Sequence, residues 1–295
     1  MAIAVRRWRT WLWVLPAVGL LLIFVYYPVV DNVRLSFFSW DAFDPTPTFV
    51  GVDNYVAAAE DPVFWRSLFN NTAYAVVSLI FQVGLAMVLA ALLEEFVGRR
   101  LRGPLRTLYF IPAAMSITVV GILFSFIYNP EFGLLNRALE AVGLGQFAVA
   151  WLGQESTAIW AIIAMSQWQS IGYCAVLFVV AMQRVPREYY EAATVDGAGP
   201  IRSFFAVTVP MVREMTTLLV ILTISGAFLV FNEVMVMTAG GPNNSSQVLG
   251  TWLYRQAFFE DDMGYAATVA TVILVITFTI AALQMWVTQR RRVEA

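Results

Sequence analysis

Four polar side chains in an otherwise apolar run, Ser166, Gln169, Ser170 and Tyr173, recur at i, i+3, i+4 and i+7. On a helix that spacing puts them on one face. Gln167 and Trp168 stand beside them, and a second apolar run carries Ser225, Asn232 and Glu233. Hydroxyls and amides suit the hydroxyls of a sugar, and an aromatic ring suits the face of its ring. The same groups also suit hydrogen bonding from helix to helix, so either use is open. Glu233 either lines such a path or reaches its outer mouth. Ser78, Gln82, Ser125 and Tyr128 are weaker candidates of the same kind.

The residue types that are missing exclude covalent chemistry. There is no histidine, and every one of the 18 basic residues is arginine. Without histidine there is no Ser–His–Asp machinery and no histidine metal site. Without lysine there is no P-loop and no Schiff base. The single cysteine, Cys174, can form neither an internal disulfide nor a cysteine metal cluster and reads as a small packing residue. The chain is therefore not expected to be an enzyme, to hold a metal or to hydrolyse ATP itself. A net charge of −2 gives no sign of a nucleic-acid partner.

The elements that must position these groups are set by lipid. Of 295 residues 60% are hydrophobic and only 13% charged, and mean hydropathy is +0.71. That much apolar surface cannot be hidden in a globule of this size, so the expected fold is all-α and integral to a membrane. A span needs about 20 apolar residues. Six stretches qualify: Trp11–Val30, Thr72–Leu93, Leu105–Tyr128, Thr157–Met182, Met215–Met237 and Tyr265–Val287. The first is too long for a signal-peptide core and runs into Tyr26-Tyr27-Pro28 without a small-residue cleavage site.

Arginine placement orients the spans. Arg6, Arg7 and Arg9, then Arg99, Arg100, Arg102 and Arg106, then Arg184, Arg187, Arg202 and Arg213, then Arg290, Arg291 and Arg292 fall on one side. Only Arg34, Arg66, Arg137 and Arg255 fall on the other, whose first loop is acidic (Asp31, Asp41, Asp44, Asp53, Glu60, Asp61). Both termini are expected to be cytoplasmic and the loops 31–71, 129–156 and 238–264 external. The organisation reads as residues 1–71, a leading segment with the first span and a long loop carrying Pro45, Pro47 and Pro62. A five-span core, 72–288, and a short tail, 289–295, follow. No internal repeat of the kind that marks inverted-repeat transporters is visible.

Between the fourth and fifth stretches, residues 184–212 are too polar to span, yet are not loop-like. Pro186 suits the opening of a helix, Arg187 to Asp196 are mostly good helix formers, and Gly197 can stop it at positive φ. Pro200 opens a second short helix that Pro210 is expected to end. The expected result is a helix–turn–helix with Tyr189, Tyr190, Ala193, Phe204 and Phe205 on an apolar face. It is either an amphipathic linker on the lipid surface or a rigid part for a soluble partner to grip.

The ordered residues Glu191, Ala192, Ala193, Asp196, Gly197, Phe204 and Pro210 resemble the EAA loop of bacterial ABC importer permeases. Phe49 to Tyr55, Asp61 to Ser67 and Thr238 to Pro242, with Tyr254 and Phe258, resemble the external loops of the sugar-type members. The nearest likeness is to the maltose-transporter F-type permeases, a family that includes the glycerol-3-phosphate A-type and many oligosaccharide permeases. This resemblance implies a type I importer permease fold in a bacterial inner membrane. It implies a second, homologous permease as partner in a heterodimer, and two copies of an ATP-binding subunit. It also implies an extracytoplasmic solute-binding protein. ATP and magnesium would be bound by the ATPases, and no cofactor by this chain. Glu191 would face basic residues of the ATPase, and Ala192 and Ala193 would allow close approach. Gly197 would form the turn and Phe204 would pack on the permease body.

The solute implied is a sugar or oligosaccharide. The alternative is glycerol-3-phosphate or a glycerophosphodiester, and an anionic ligand would favour arginines inside the spans. Apart from Arg106 at the edge of the third stretch there are none. A proton-coupled transporter using Glu233 is a further alternative.

Overall fold

The computed structural model describes residues 7–41, 43 and 46–293; Arg6, Asp44, Pro45 and the last two residues of the tail lie outside the described residues. Helices long and apolar enough to cross a membrane are α1 (Trp13–Leu35), α2 (Pro62–Glu95), α5 (Ala158–Met182) and α10, whose crossing part is Met263–Trp286 within a helix Met263–Val293. Two further candidate spans are bent pairs. The segment Arg100–Ala114 meets Ile117–Ile127 at 94°, and Pro200–Met211 meets Arg213–Phe228 at 72°. Within them lie α3 (Arg99–Phe110), α4 (Ile117–Ile127) and α7 (Arg213–Phe228). The remaining labelled helices are α6 (Arg187–Val195), α8 (Asn232–Met237) and α9 (Leu249–Phe258).

The expected spans change in four places. The first helix runs past Val30 to Leu35, and the second begins at Pro62, so the first external loop is shorter than 31–71. It holds a two-residue antiparallel pair (Phe38 opposite Phe49, Ser39 opposite Thr48) and the helix Asp53–Glu60. The third stretch is not one straight span. It breaks at Met115–Ser116, where both residues are extended. The fifth also breaks, because α7 ends at Phe228 and a new short helix starts at Asn232. Irregular backbone at membrane depth survives only where protein or a wet cavity satisfies it.

Two prolines are accommodated by the same device. Pro28 and Pro210 each follow a wide five-residue turn, Leu22–Tyr26 and Phe204–Thr208. The residue just before each proline bonds five residues back, Tyr27 N to Leu22 O and Val209 N to Phe204 O. Widening the ladder ahead of a proline relieves the ring's clash with the preceding turn.

The contacts divide the chain into two units. One comprises the residues up to Asp61 together with Leu253–Leu274. Here Asn32 donates to Ala267 O and to Thr271 Oγ1, both at 3.2 Å, and Thr268 Oγ1 donates to Ser36 O at 3.1 Å. Tyr265 OH donates to Asp61 Oδ2 at 2.6 Å.

The other unit comprises Pro62–Trp252 and the residues from Val275. Its core packs α2 on α5 through Val83, Ala86, Met87, Ala90, Cys174, Ala175 and Phe178, with Val212 and Leu219. Lipid gives apolar helices no hydrophobic incentive to associate. Small side chains such as Ala86, Ala90, Gly172 and Ala175 matter because they let backbones approach. Polar links add direction. Asn71 donates to Ala227 O at 2.6 Å and accepts from Leu249 N at 2.8 Å, while Asn70 donates to Ser245 O and Gln247 O. These bonds satisfy backbone groups that would each cost about 1–3 kcal/mol if buried unpaired.

Candidate functional site

The helix–turn–helix forms as local signals dictate. Pro186, extended, precedes α6, and α6 closes in a Schellman turn: Ala198 N bonds Ala193 O at 2.8 Å, and Gly197 N bonds Thr194 O at 3.0 Å. Gly197 sits at φ +76°, a conformation that costs glycine nothing and a side chain strain. The helix Pro200–Ser203 opens on its proline, and the hydroxyls of Tyr190 and Thr208 meet at 3.1 Å, tying α6 to the second arm.

Pro210 does not end that arm. The wide turn Phe204–Thr208 precedes it, helix continues over Val209–Met211, and the break falls at Val212. Glu191, Ala192, Asp196 and Gly197 are exposed and Ala193 is half-buried. Tyr190 and Phe204 pack on the core of the unit, whereas Tyr189 and Phe205 face outward, so the apolar residues divide between two faces. Behind the loop lies a cavity of about 710 Å³, lined among others by Glu94, Arg102, Arg106, Gln183, Tyr190 and Glu191.

The polar stripe of α5 sits at the break in the third span. Gln169 Nε2 donates to Met115 O at 2.9 Å, while its buried Oε1 has no partner among the described residues. The Tyr173 ring lies 6.5 Å from that of Phe110 and is 44% exposed. Ser166 is buried beside Tyr74, and Ser170 is half-buried. Asn232 is exposed at the start of α8 and Glu233 is buried, accepting from Tyr74 OH at 2.8 Å. Ser166 and Glu233 therefore meet through Tyr74, which the sequence reading passed over.

The neighbouring polar groups are spent on packing. Gln167 donates to Ser78 Oγ at 3.1 Å and accepts from Gln82 at 2.9 Å, stitching α5 to α2. Ser125 bonds its own helix at Gly121 O. Tyr128 OH donates to Ala161 O. Asn70, Tyr74, Ser78 and Gln82 recur every four residues and form a stripe on α2.

Residues 82–293, which contain the helix–turn–helix and both broken spans, match the family model of the binding-protein-dependent transport system inner membrane component. The chain belongs to this family. Like this permease component, the "Probable ABC transporter permease protein YurN" of Bacillus subtilis is 50% identical over 275 residues, 93% of this chain and 94% of that one. The lactose transport system permease protein LacF of Rhizobium radiobacter is 32% identical over 285 residues, 96% of this chain and 94% of that one.

The fold is matched by a crystal structure of a bacterial alginate ABC transporter in complex with an alginate pentasaccharide-bound periplasmic protein. The TM-score is 0.83 at 22% identity, covering 97% of this chain and 95% of that chain. The chain is thus a multi-pass permease component with the type I ABC importer fold.

Proposed function

We propose that this permease imports a sugar or oligosaccharide as one half of a heterodimer with a second, homologous permease. Two ATP-binding subunits dock at the arginine-rich, cytoplasmic face, which also holds both termini, and an external binding protein delivers the solute. The observation that carries the reading is the exposed Glu191-Ala192 pair, with half-buried Ala193 beside it, on a helix fixed by the Gly197 turn, which presents a rigid, charged handle to a soluble partner. Glu191 faces basic residues of the ATPase, and Phe204 anchors the handle to the permease body.

ATP and magnesium act on the ATPase subunits, and this chain contributes no covalent chemistry. The solute passes Ser166, Gln169, Ser170, Tyr173, Asn232 and Glu233. Relatives named for lactose, diacetylchitobiose and arabinooligosaccharides support a saccharide. They do not favour glycerol-3-phosphate or a glycerophosphodiester.

Uptake of labelled oligosaccharides by the complex reconstituted in proteoliposomes tests this. Uptake is expected to stop without internal ATP and to persist when the proton gradient is collapsed; the opposite pattern would transfer the role to Glu233 as a proton carrier. Within the same system Tyr173→Ala is expected to raise the half-saturating solute concentration about tenfold, the loss of about 1.4 kcal/mol of contact. An unchanged value with unchanged ATPase stimulation would return the stripe to packing.

A further inference from the structure

Helix α3 touches both the docking loop's root and the polar stripe. Glu94, near the close of α2, pairs with Arg106 in the C-terminal half of α3 and, at 3.4 Å, with Arg102 in its first turn. Arg102 Nε also donates to Val97 O at 2.7 Å. With its amide oxygen turned toward Arg106, Gln183 accepts from the same guanidinium. Gln183 immediately follows α5 and lies three residues before Pro186, where the docking loop begins. Glu94 and Arg106 are mostly buried, at 21% and 28% exposure, so water screens the pair less than an open surface pair.

Near its C-terminal end α3 lies against α5 so closely that a Cβ on Gly172 would collide with the Tyr109 carbonyl oxygen. At its far end the Phe110 ring meets Tyr173, and past the turn Ile111–Ala114 the Met115 carbonyl is held by Gln169. One half-span is therefore gripped at the loop's root by charge and at mid-span by two members of the stripe.

We propose that α3 is a lever between the ATPase-driven loop and the solute path, with Glu94, Arg106 and Gln183 as the positioning residues that engage it. This rests on the importer reading above. Rotation of the docking loop pulls Gln183 and, through Arg106, the body of α3 one turn before Phe110. The break at Met115–Ser116 is the hinge, and the far end moves Phe110 and Met115 against Tyr173 and Gln169. A rigid helix beside a hinge can transmit such a displacement, whereas an unstructured linker cannot.

The test is the number of solute molecules moved per ATP hydrolysed by the complete complex in proteoliposomes, with loaded binding protein outside. Arg106→Gln and Glu94→Gln are each expected to lower that ratio about five- to tenfold, a coupling loss of ordinary allosteric size. Arg106→Lys, which keeps the charge, should restore most of it.

Wild-type ratios in both glutamine variants would overturn the lever. So would a parallel loss of uptake and hydrolysis in all three, since the cluster would then only hold the fold together. Absence of ATP-driven uptake by the wild-type complex would instead sink the importer reading on which the lever rests.

Discussion

Replacing Glu191 with lysine is expected to abolish uptake while leaving the chain in the membrane at its normal level. Glu191 is exposed on α6 and belongs to no ion pair among the described residues, so the folded permease loses nothing when its sign is reversed. On the docking proposed above, the cost falls on the assembled complex, where a like charge set against basic residues costs several kcal/mol. At about 3 kcal/mol the docked population falls more than a hundredfold. Uptake by membrane vesicles, with permease abundance measured by immunoblot and ATPase co-purification beside it, reads this directly. Full uptake from the lysine variant would remove the loop from the drive train.

The second large effect is expected at Gly172. The methyl of an alanine there would collide with the Tyr109 carbonyl, a piece of backbone rather than a flexible tip. Relief requires α3 and α5 to move apart, and overpacking of this kind costs about 1–3 kcal/mol or more. The movement also withdraws Phe110 from Tyr173, so Gly172→Ala should lower both the thermal midpoint of the detergent-solubilised chain and uptake. Gly226→Ala is the control, because a Cβ there meets nothing within 4 Å. Equal behaviour of the two variants would show that the close approach carries no weight.

Some of this architecture could be read along the chain and some could not. The helix–turn–helix was legible because Pro186, Gly197 and Pro200 act locally through fixed φ, positive φ and a missing N–H. Pro210 misled for the same reason: the local rule holds that proline ends a helix, yet the wide turn before it lets helix continue to Met211.

The breaks in the third and fifth spans were invisible to hydropathy. Ile111 to Met115 and Leu229 to Phe231 are almost wholly apolar, and an average over 20 residues cannot register a change of direction. What stabilises the first break is a contact 54 residues away, Gln169 to Met115 O. The α5 stripe was legible from helical spacing. Tyr74 was not, because tyrosine in an apolar run reads as one more aromatic until Glu233 is seen to sit on its hydroxyl.

The burial of Cys174 beside Ala175 and Phe178 in the α2–α5 core has a practical side. As the sole native thiol, it is 4% exposed and closed to maleimides in the folded chain. A single cysteine introduced on α6 or on an outer loop would then be the one fluorophore or spin-label anchor, with no need to strip the background first. The gate could be watched opening in otherwise wild-type protein.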